Sequence, residues 1–208
     1  MDIFMIGNEE TKKIPESLCR KLFPERMKRA CRYVREEDKL MCMGAGILIS
    51  YCLDISEREI FFSEYGKPYL KKDMYFNISH SGECAVLAFG NKEIGIDIEK
   101  IDDGNLKLMP YVFTENEREW IKEDPERFHI MWSIKESVMK ATGLGMSLEP
   151  FSFEISPYKK SIFINGRNYF FDHGIFENKS FAVVCEDEIG EIFIKKVSSK
   201  DIMKKYDK

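Results

Sequence analysis

The sequence predicts an α+β fold in which a helical stretch followed by short strands occurs twice. Apolar residues at helical spacing in Glu36 to Leu53 give way to β-rich runs, and a second helical pattern from Pro125 to Thr142 is again followed by strands. A weaker internal echo points the same way: Cys84-Ala85-Val86-Leu87-Ala88 is like Phe181-Ala182-Val183-Val184-Cys185, and Ser63-Glu64-Tyr65 is like Ser156-Pro157-Tyr158. The expected boundary, Ile101 to Asn105, divides the chain into halves of 1–101 and 102–208. It holds no Gly/Ser-rich linker, so the halves should pack rather than swing.

Two helices are expected to open the chain. The first begins at Pro24, a residue suited to the first helical turn, and runs to about Arg35. The second, Glu36 to Leu53, has Leu40, Met43, Ile47 and Leu48 spaced for one buried face. Strands follow at Ile60 to Ser63, Met74 to Ile78, Cys84 to Phe89 and Glu93 to Ile98, separated by Gly66-Lys67-Pro68, Ser81-Gly82 and Gly90-Asn91. The tight Gly90-Asn91 connection predicts an antiparallel hairpin. After Asp102-Asp103-Gly104, helical patterning resumes at Thr114 to Lys122, where Thr114 and Glu117 have capping-box spacing. Gly143 and Gly145 stop the helix that starts at Pro125. Strands are then predicted at Ser152 to Ile155, Ser161 to Ile164, Tyr169 to Asp172, Phe181 to Cys185 and Glu191 to Lys195.

Composition narrows the function classes. Apolar residues are 44% of the 208 and charged residues 33%, the balance of a globular protein rather than a disordered or fibrous one. No apolar run approaches the ~20 residues that span a bilayer, and the start, MDIFMIG, has no basic segment ahead of a sustained apolar stretch. A cytoplasmic protein with no membrane association is the expectation. The six cysteines form no CxxC pair, which favours structural thiols over zinc ligands or disulfides, and with only His80, His129 and His173 a histidine-rich metal site is poorly supported. Lys12 to Arg35 carries nine Lys or Arg against Glu16 and Glu25, a local +7 that leaves −11 on the rest of a −4 chain. That basic surface suits a phosphorylated ligand or an acidic protein partner, and it is also what a solvated helical face presents. It lacks interleaved aromatics on a chain that is not basic overall, so nucleic acid is not expected.

The chemistry concentrates in carboxylate segments. In IGIDIEK, Ile94, Ile96 and Ile98 fall on one side of a strand and Asp97 and Glu99 on the other. An amphipathic strand facing water has the same pattern, but two carboxylates on one face could also join a third ligand around a hard divalent cation. Glu136 and Lys140 share one face of the predicted helix. They could be a surface ion pair, yet Met131, Trp132, Ile134 and Val138 make that helix largely apolar, so a buried acid and base there need partners. Asn77-Ile78-Ser79-His80-Ser81-Gly82 places hydroxyls, an imidazole and free amides after a strand, which fits either a hydrogen-bonded turn or a phosphate site.

In order and spacing, Gly66-Lys67-Pro68, FNISHSG, IGIDIEK, FTENE and WSIKESVMKATGLG resemble the signature of the 4′-phosphopantetheinyl transferases, specifically the longer, surfactin-type enzymes, from Pro24-Glu25-Arg26 to Cys185. The resemblance implies two similar halves related by a pseudo-twofold axis, acting as a monomer, with coenzyme A in the cleft between them. It implies that Asp97, Glu99 and Glu136 bind Mg²⁺, with Mn²⁺ as a substitute. Lys140 would contact the coenzyme A phosphates and Ser79 and His80 its 3′-phosphate, while Lys67, Arg26 and Arg29 form a basic wall at the nucleotide.

The implied reaction transfers phosphopantetheine to a serine of an apo acyl, peptidyl or aryl carrier protein and releases 3′,5′-ADP. Glu117 is the candidate proton acceptor beside the catalytic Glu136 and Lys140. Its capping-box spacing is the competing reading, and Glu115, Glu119 or a metal-bound water are alternatives. One departure stands out: Met41-Cys42 occupies the place where these enzymes usually carry an arginine and a small polar residue. A Mg²⁺-dependent phosphohydrolase acting on a diphosphate, or a noncatalytic protein binding coenzyme A or a carrier, would use the same acids. Product analysis with and without apo carrier separates these readings.

Overall fold

The computed structural model describes residues 1–103 and 106–206, so Gly104 and Asn105 of the expected boundary lie outside the described residues. The chain opens with a strand, not a helix: β1 (Asp2–Gly7) precedes α1 (Asn8–Lys12) and α2 (Glu16–Leu22). Then come α3 (Pro24–Ala30) and α4 (Glu36–Leu53), with α3 ending five residues before the predicted Arg35. The strands β2 (Ile60–Phe62), β3 (Pro68–Leu70), β4 (Tyr75–Ser81), β5 (Cys84–Gly90) and β6 (Ile94–Lys100) follow. The second part runs through α5 (Met109–Val112), α6 (Glu115–Ile121), α7 (Pro125–Thr142), β7 (Ser161–Ile164), β8 (Arg167–Phe176), β9 (Lys179–Cys185), β10 (Phe193–Lys196) and α8 (Ser199–Tyr206). The strand predicted at Ser152 to Ile155 is absent, because Pro150–Ser152 forms a 3₁₀ turn and Phe153 to Ile155 lies outside any strand.

Two four-stranded sheets result, ordered β10-β1-β5-β4 and β6-β9-β8-β7, beside the small β2-β3 hairpin. The hairpin predicted at Gly90-Asn91 does not form. β5 pairs with β1 and β4, whereas β6 pairs with β9. Packing overrides the turn signal there: Ile94, Ile96 and Ile98 join Ile3, Met5, Val86 and Ala88 in one apolar cluster, so the chain crosses between sheets at Gly90-Asn91 to put both apolar faces inward. The β4–β5 hairpin turns at Gly82-Glu83 instead, both with positive φ.

Sheet membership divides the chain differently from 1–101 and 102–208. β6 belongs to the second sheet, and the C-terminal β10 returns to pair in parallel with β1. α8 then ties down against α4 through Lys205 Nζ to the Tyr51 carbonyl and Tyr206 Oη to the Ser50 carbonyl. α4 packs on the first sheet with Phe76, Ala85 and Leu87, and α7 packs on the second with Tyr169, Phe171, Ala182 and Val184. Among the described residues no helix is long and apolar enough to cross a membrane.

The sheets meet along β4 and β6 without a shared backbone ladder, and side chains bridge them. Asn77 Oδ1 accepts from the Ile96 amide at 3.0 Å, Ser79 Oγ donates to Asp97 Oδ1 at 2.8 Å, and Ser81 Oγ donates to Glu99 Oε2 at 3.0 Å. β6 turns Gly95, Asp97 and Glu99 toward α7, and at Gly95 the helix backbone comes so near that a Cβ would lie 2.0 Å from the Ser137 carbonyl oxygen and 2.6 Å from the Ala141 nitrogen. Those contacts are backbone, so no side-chain rotation relieves them. Gly95→Ala is therefore expected to cost about 3 kcal/mol and to lower the melting temperature by roughly 5–10 °C, read by thermal unfolding. An unchanged melting temperature would show that α7 does not sit this close.

Candidate functional site

The close approach at Gly95 carries Glu136 and Lys140 of α7 onto the acidic edge of β6. Asp97, Glu99 and Glu136 each offer an oxygen, and these atoms lie within 4.8 Å of one another. Lys140 Nζ donates to Asp97 Oδ1 at 2.7 Å and to Ser79 Oγ at 3.0 Å, and lies 3.2 Å from Glu136 Oε1. Asp97 is 1% exposed, and its Oδ2 is a buried oxygen with no hydrogen-bond partner. One orphaned carboxylate oxygen beside two further carboxylates is a donor set that suits a hard divalent cation.

The electrostatics match that geometry. Burial, then the neighbouring Asp97 charge, pushes the Glu99 carboxyl up to about 7. The same two causes raise Glu136. Burial alone would lower the Lys140 ammonium, but Asp97 and Glu136 outweigh it and its value is raised. Three carboxylates with one lysine among them thus resist full ionisation, a cost that a further cation would relieve.

The basic residues divide between two places. His80 follows Ser79 on β4 and is exposed, yet the protein around its ring, then the charges of Lys140, Arg26 and Arg29, hold its imidazole below the ordinary value. A bound anion would reverse that bias. Arg26 and Arg29 line a cavity of about 320 Å³ with Glu57, Ile60 and Phe62. Gly46 of α4 seats Arg26 there, since a Cβ at that position would meet Phe23 at 2.6 Å and the Arg26 stem at 2.8 Å. Lys67 stands apart: Nζ donates to the Ala141 carbonyl at 2.8 Å and pairs with Glu93, on the wall of a second cavity of about 520 Å³ with Tyr65, Tyr69, Met74 and Leu144. Met41 is half-buried on α4, and the Cys42 thiol beside it points at the Arg26 carbonyl, 3.9 Å away.

Glu117 is not brought into the acidic cluster. It is 0% exposed; Oε2 accepts from the Thr114 amide at 2.8 Å, completing the capping box, and Oε1 accepts from the Ile155 amide at 2.7 Å. Lys135 Nζ, equally enclosed, lies 2.9 Å from Oε1 and donates to the Pro150 and Phe153 carbonyls at 2.7 Å each. Both oxygens are thus occupied inside the core, and the capping arrangement that its spacing also fits is present. Glu115 and Glu119 are exposed on α6. Sequence reasoning missed Lys135, although its spacing from Phe128, Met131 and Val138 already put it on the buried face of α7.

A family model described as the 4′-phosphopantetheinyl transferase superfamily matches residues 93–185, the stretch from the start of β6 to the end of β9. A 4′-phosphopantetheinyl transferase, gsp, of Aneurinibacillus migulanus is 33% identical over 174 residues, covering 78% of this chain and 73% of its own length. The chain belongs to the 4′-phosphopantetheinyl transferase superfamily. The 4′-phosphopantetheinyl transferase Sfp of Bacillus subtilis (strain 168) is 34% identical over 145 residues, 64% of this chain and 65% of Sfp. The human L-aminoadipate-semialdehyde dehydrogenase-phosphopantetheinyl transferase is 31% identical over 172 residues, 69% of this chain and 56% of its own length. All three acids of the cluster fall inside the stretch that the superfamily model matches.

Removing one partner of the enclosed Glu117–Lys135 pair leaves an uncompensated buried charge. Lys135→Met is expected to cost about 3–5 kcal/mol in urea unfolding, and Glu117→Gln to cost stability as well. A Glu117→Gln protein of wild-type stability and abolished activity would return Glu117 to the catalytic group. A second expectation concerns pH. Folded Glu99 holds its proton up to about 7 against an ordinary 4.5, so between these values the folded state binds more protons than the unfolded chain. Metal-free stability should therefore fall through this group as pH rises across that window and level off above it. Urea midpoints of wild type and Glu99→Gln across the window check this, and parallel curves would refute it.

Proposed function

We infer that this chain transfers the 4′-phosphopantetheine arm of coenzyme A to a serine hydroxyl of an apo acyl, peptidyl or aryl carrier protein, releasing 3′,5′-ADP. The observation that supports this most directly is the acidic cluster with Lys140 set into it, on the stretch shared with the superfamily. Asp97, Glu99 and Glu136 would hold Mg²⁺ or Mn²⁺, and the unpartnered Asp97 Oδ2 fits that role. When bound, the ion would offset negative charge on the diphosphate of coenzyme A.

The chain's own residues supply the rest. Lys140, fixed by Asp97 and Ser79, presents an ammonium that can follow the phosphate as charge develops there. His80, Arg26 and Arg29 form a cationic rim suited to the 3′-phosphate; Ser79, enclosed against Asp97, acts by orienting that acid. Lys67 closes the second cavity, where its tie to the end of α7 holds the wall in place. The serine proton we assign to Glu136, whose basicity burial and Asp97 raise, rather than to Glu117. We place the protein in the cytoplasm as a monomer; six cysteines with no disulfide among them suit a reducing compartment. The basic surface from Arg20 to Arg35 would steer acidic carriers toward the cleft.

Incubation of the purified protein with coenzyme A and a panel of apo carriers should give carriers heavier by one phosphopantetheine, read by mass spectrometry. Chelation should stop the reaction and added Mg²⁺ restore it. Asp97→Asn and Glu136→Gln should each slow transfer by about 100-fold or more, as expected when a group acting on the transition state is lost. A panel that stays unmodified with wild-type protein and Mg²⁺ overturns the reading.

A further inference from the structure

Ser81 is the last residue of β4 and has no part in the roles assigned above. Its hydroxyl lies between two groups of β6. Oγ donates to Glu99 Oε2 at 3.0 Å and accepts from the Lys100 amide at 3.1 Å. The backbone N–H can only donate, so it takes a hydroxyl lone pair, and toward an ionised Glu99, which can only accept, Ser81 turns its proton. No backbone ladder joins β4 to β6, so at this position the hydroxyl is what links the two strands.

We propose that Ser81 is a positioning residue for the cation site: it pins Glu99 through Oε2 so that the carboxylate is held toward Asp97 and Glu136. The proposal rests on the reading of Asp97, Glu99 and Glu136 as cation ligands. Glu99 sits one residue from the end of its strand on a side chain with three rotatable torsions, and its loss of conformational freedom in the cluster has to be met by some bond. Asp97 is held by Ser79 and Lys140, and Glu136 is braced by Lys140 on its own helix. Ser81 supplies the corresponding hold for Glu99. The Ser79–Asp97 and Ser81–Glu99 bonds are two rungs of one arrangement, with hydroxyls on alternate residues of β4 meeting acids on alternate residues of β6. Outer partners of this kind commonly change metal affinity by 10–100-fold when lost.

The test uses Mn²⁺ alone, titrated into the purified full chain and followed by electron paramagnetic resonance, with thermal melting as a check on folding. Ser81→Ala is expected to weaken Mn²⁺ binding about tenfold at a nearly unchanged melting temperature, while saturating Mg²⁺ restores most of the transfer rate. Because the effect runs through Glu99, the same substitution made in a Glu99→Gln background should weaken binding by less than about twofold. Ser81→Thr, which keeps the hydroxyl, should bind as wild type does. Equal Mn²⁺ affinity in wild type and Ser81→Ala overturns the proposal and leaves the cation site standing. A tenfold loss that persists in the Glu99→Gln background also overturns it, since Ser81 would then act on the fold rather than on Glu99. A wild-type protein that binds no Mn²⁺ overturns the cation site itself, and this inference with it.

Discussion

The closeness of α7 to β6 is the constraint from which the site follows. Gly95 makes it possible, since any larger residue would put a carbon inside the helix backbone. The facing stripe of α7 is correspondingly small: Ser133 Oγ lies 2.8 Å from Ser180 Oγ, Ser137 Oγ donates to the Ala182 carbonyl at 2.9 Å, and Ala141 continues the row. Glu136 and Lys140 each precede a member of that stripe by one position, so they flank it on the side where Asp97 emerges. Lifting the helix to admit a side chain at residue 95 would break the Lys140–Asp97 contact at 2.7 Å. Packing and chemistry are therefore one interaction here.

That arrangement concentrates charge where water is scarce. Burial raises Glu99 and Glu136, and each carboxylate makes its neighbour harder to ionise. Lys140 compensates part of this by standing between Asp97 and Glu136, while Ser79 and Ser81 donate from the other sheet. The serines explain why the seam between the sheets is polar. The seam thus serves two purposes, holding the sheets together and fixing the carboxylates of Asp97 and Glu99.

Much of this was legible in the sequence where local rules decide. α4 and α7 were predicted at their observed limits, because apolar spacing, Pro125 and Gly143 all agree there. The β6 pattern correctly separated three isoleucines from Asp97 and Glu99. What escaped depends on partners distant along the chain. β1 reads as an ordinary apolar start, and only its place between β5 and β10 makes it a strand. Gly90-Asn91 is a sound turn signal, overridden because β6 pairs with β9 and buries Ile94, Ile96 and Ile98 against Ile3, Met5, Val86 and Ala88. Ser81 was visible only as a turn residue, since the alternation it shares with Ser79 has meaning only once β6 lies alongside.

Two acid–lysine pairs that share α7, Glu117 of α6 with Lys135 and Glu136 with Lys140, show how the site can be told from the scaffold. Glu117 and Lys135 are both fully enclosed, and every bond they can make in that space is made: two amides reach the carboxylate and two carbonyls reach the ammonium. Such a network gains nothing from a ligand and has no route to one. One residue further along, Glu136 belongs to a group that is not complete, with Asp97 Oδ2 buried and unpartnered and Glu99 raised to about 7. A buried polar group without a partner costs free energy that a bound cation would recover. Lys135, Glu136 and Lys140 all lie in one short sequence, WSIKESVMK, and residue types alone do not rank the two pairs. The unsatisfied oxygen is what distinguishes them: the group around Glu136 has room for a further partner, while Glu117 keeps the cap of α6.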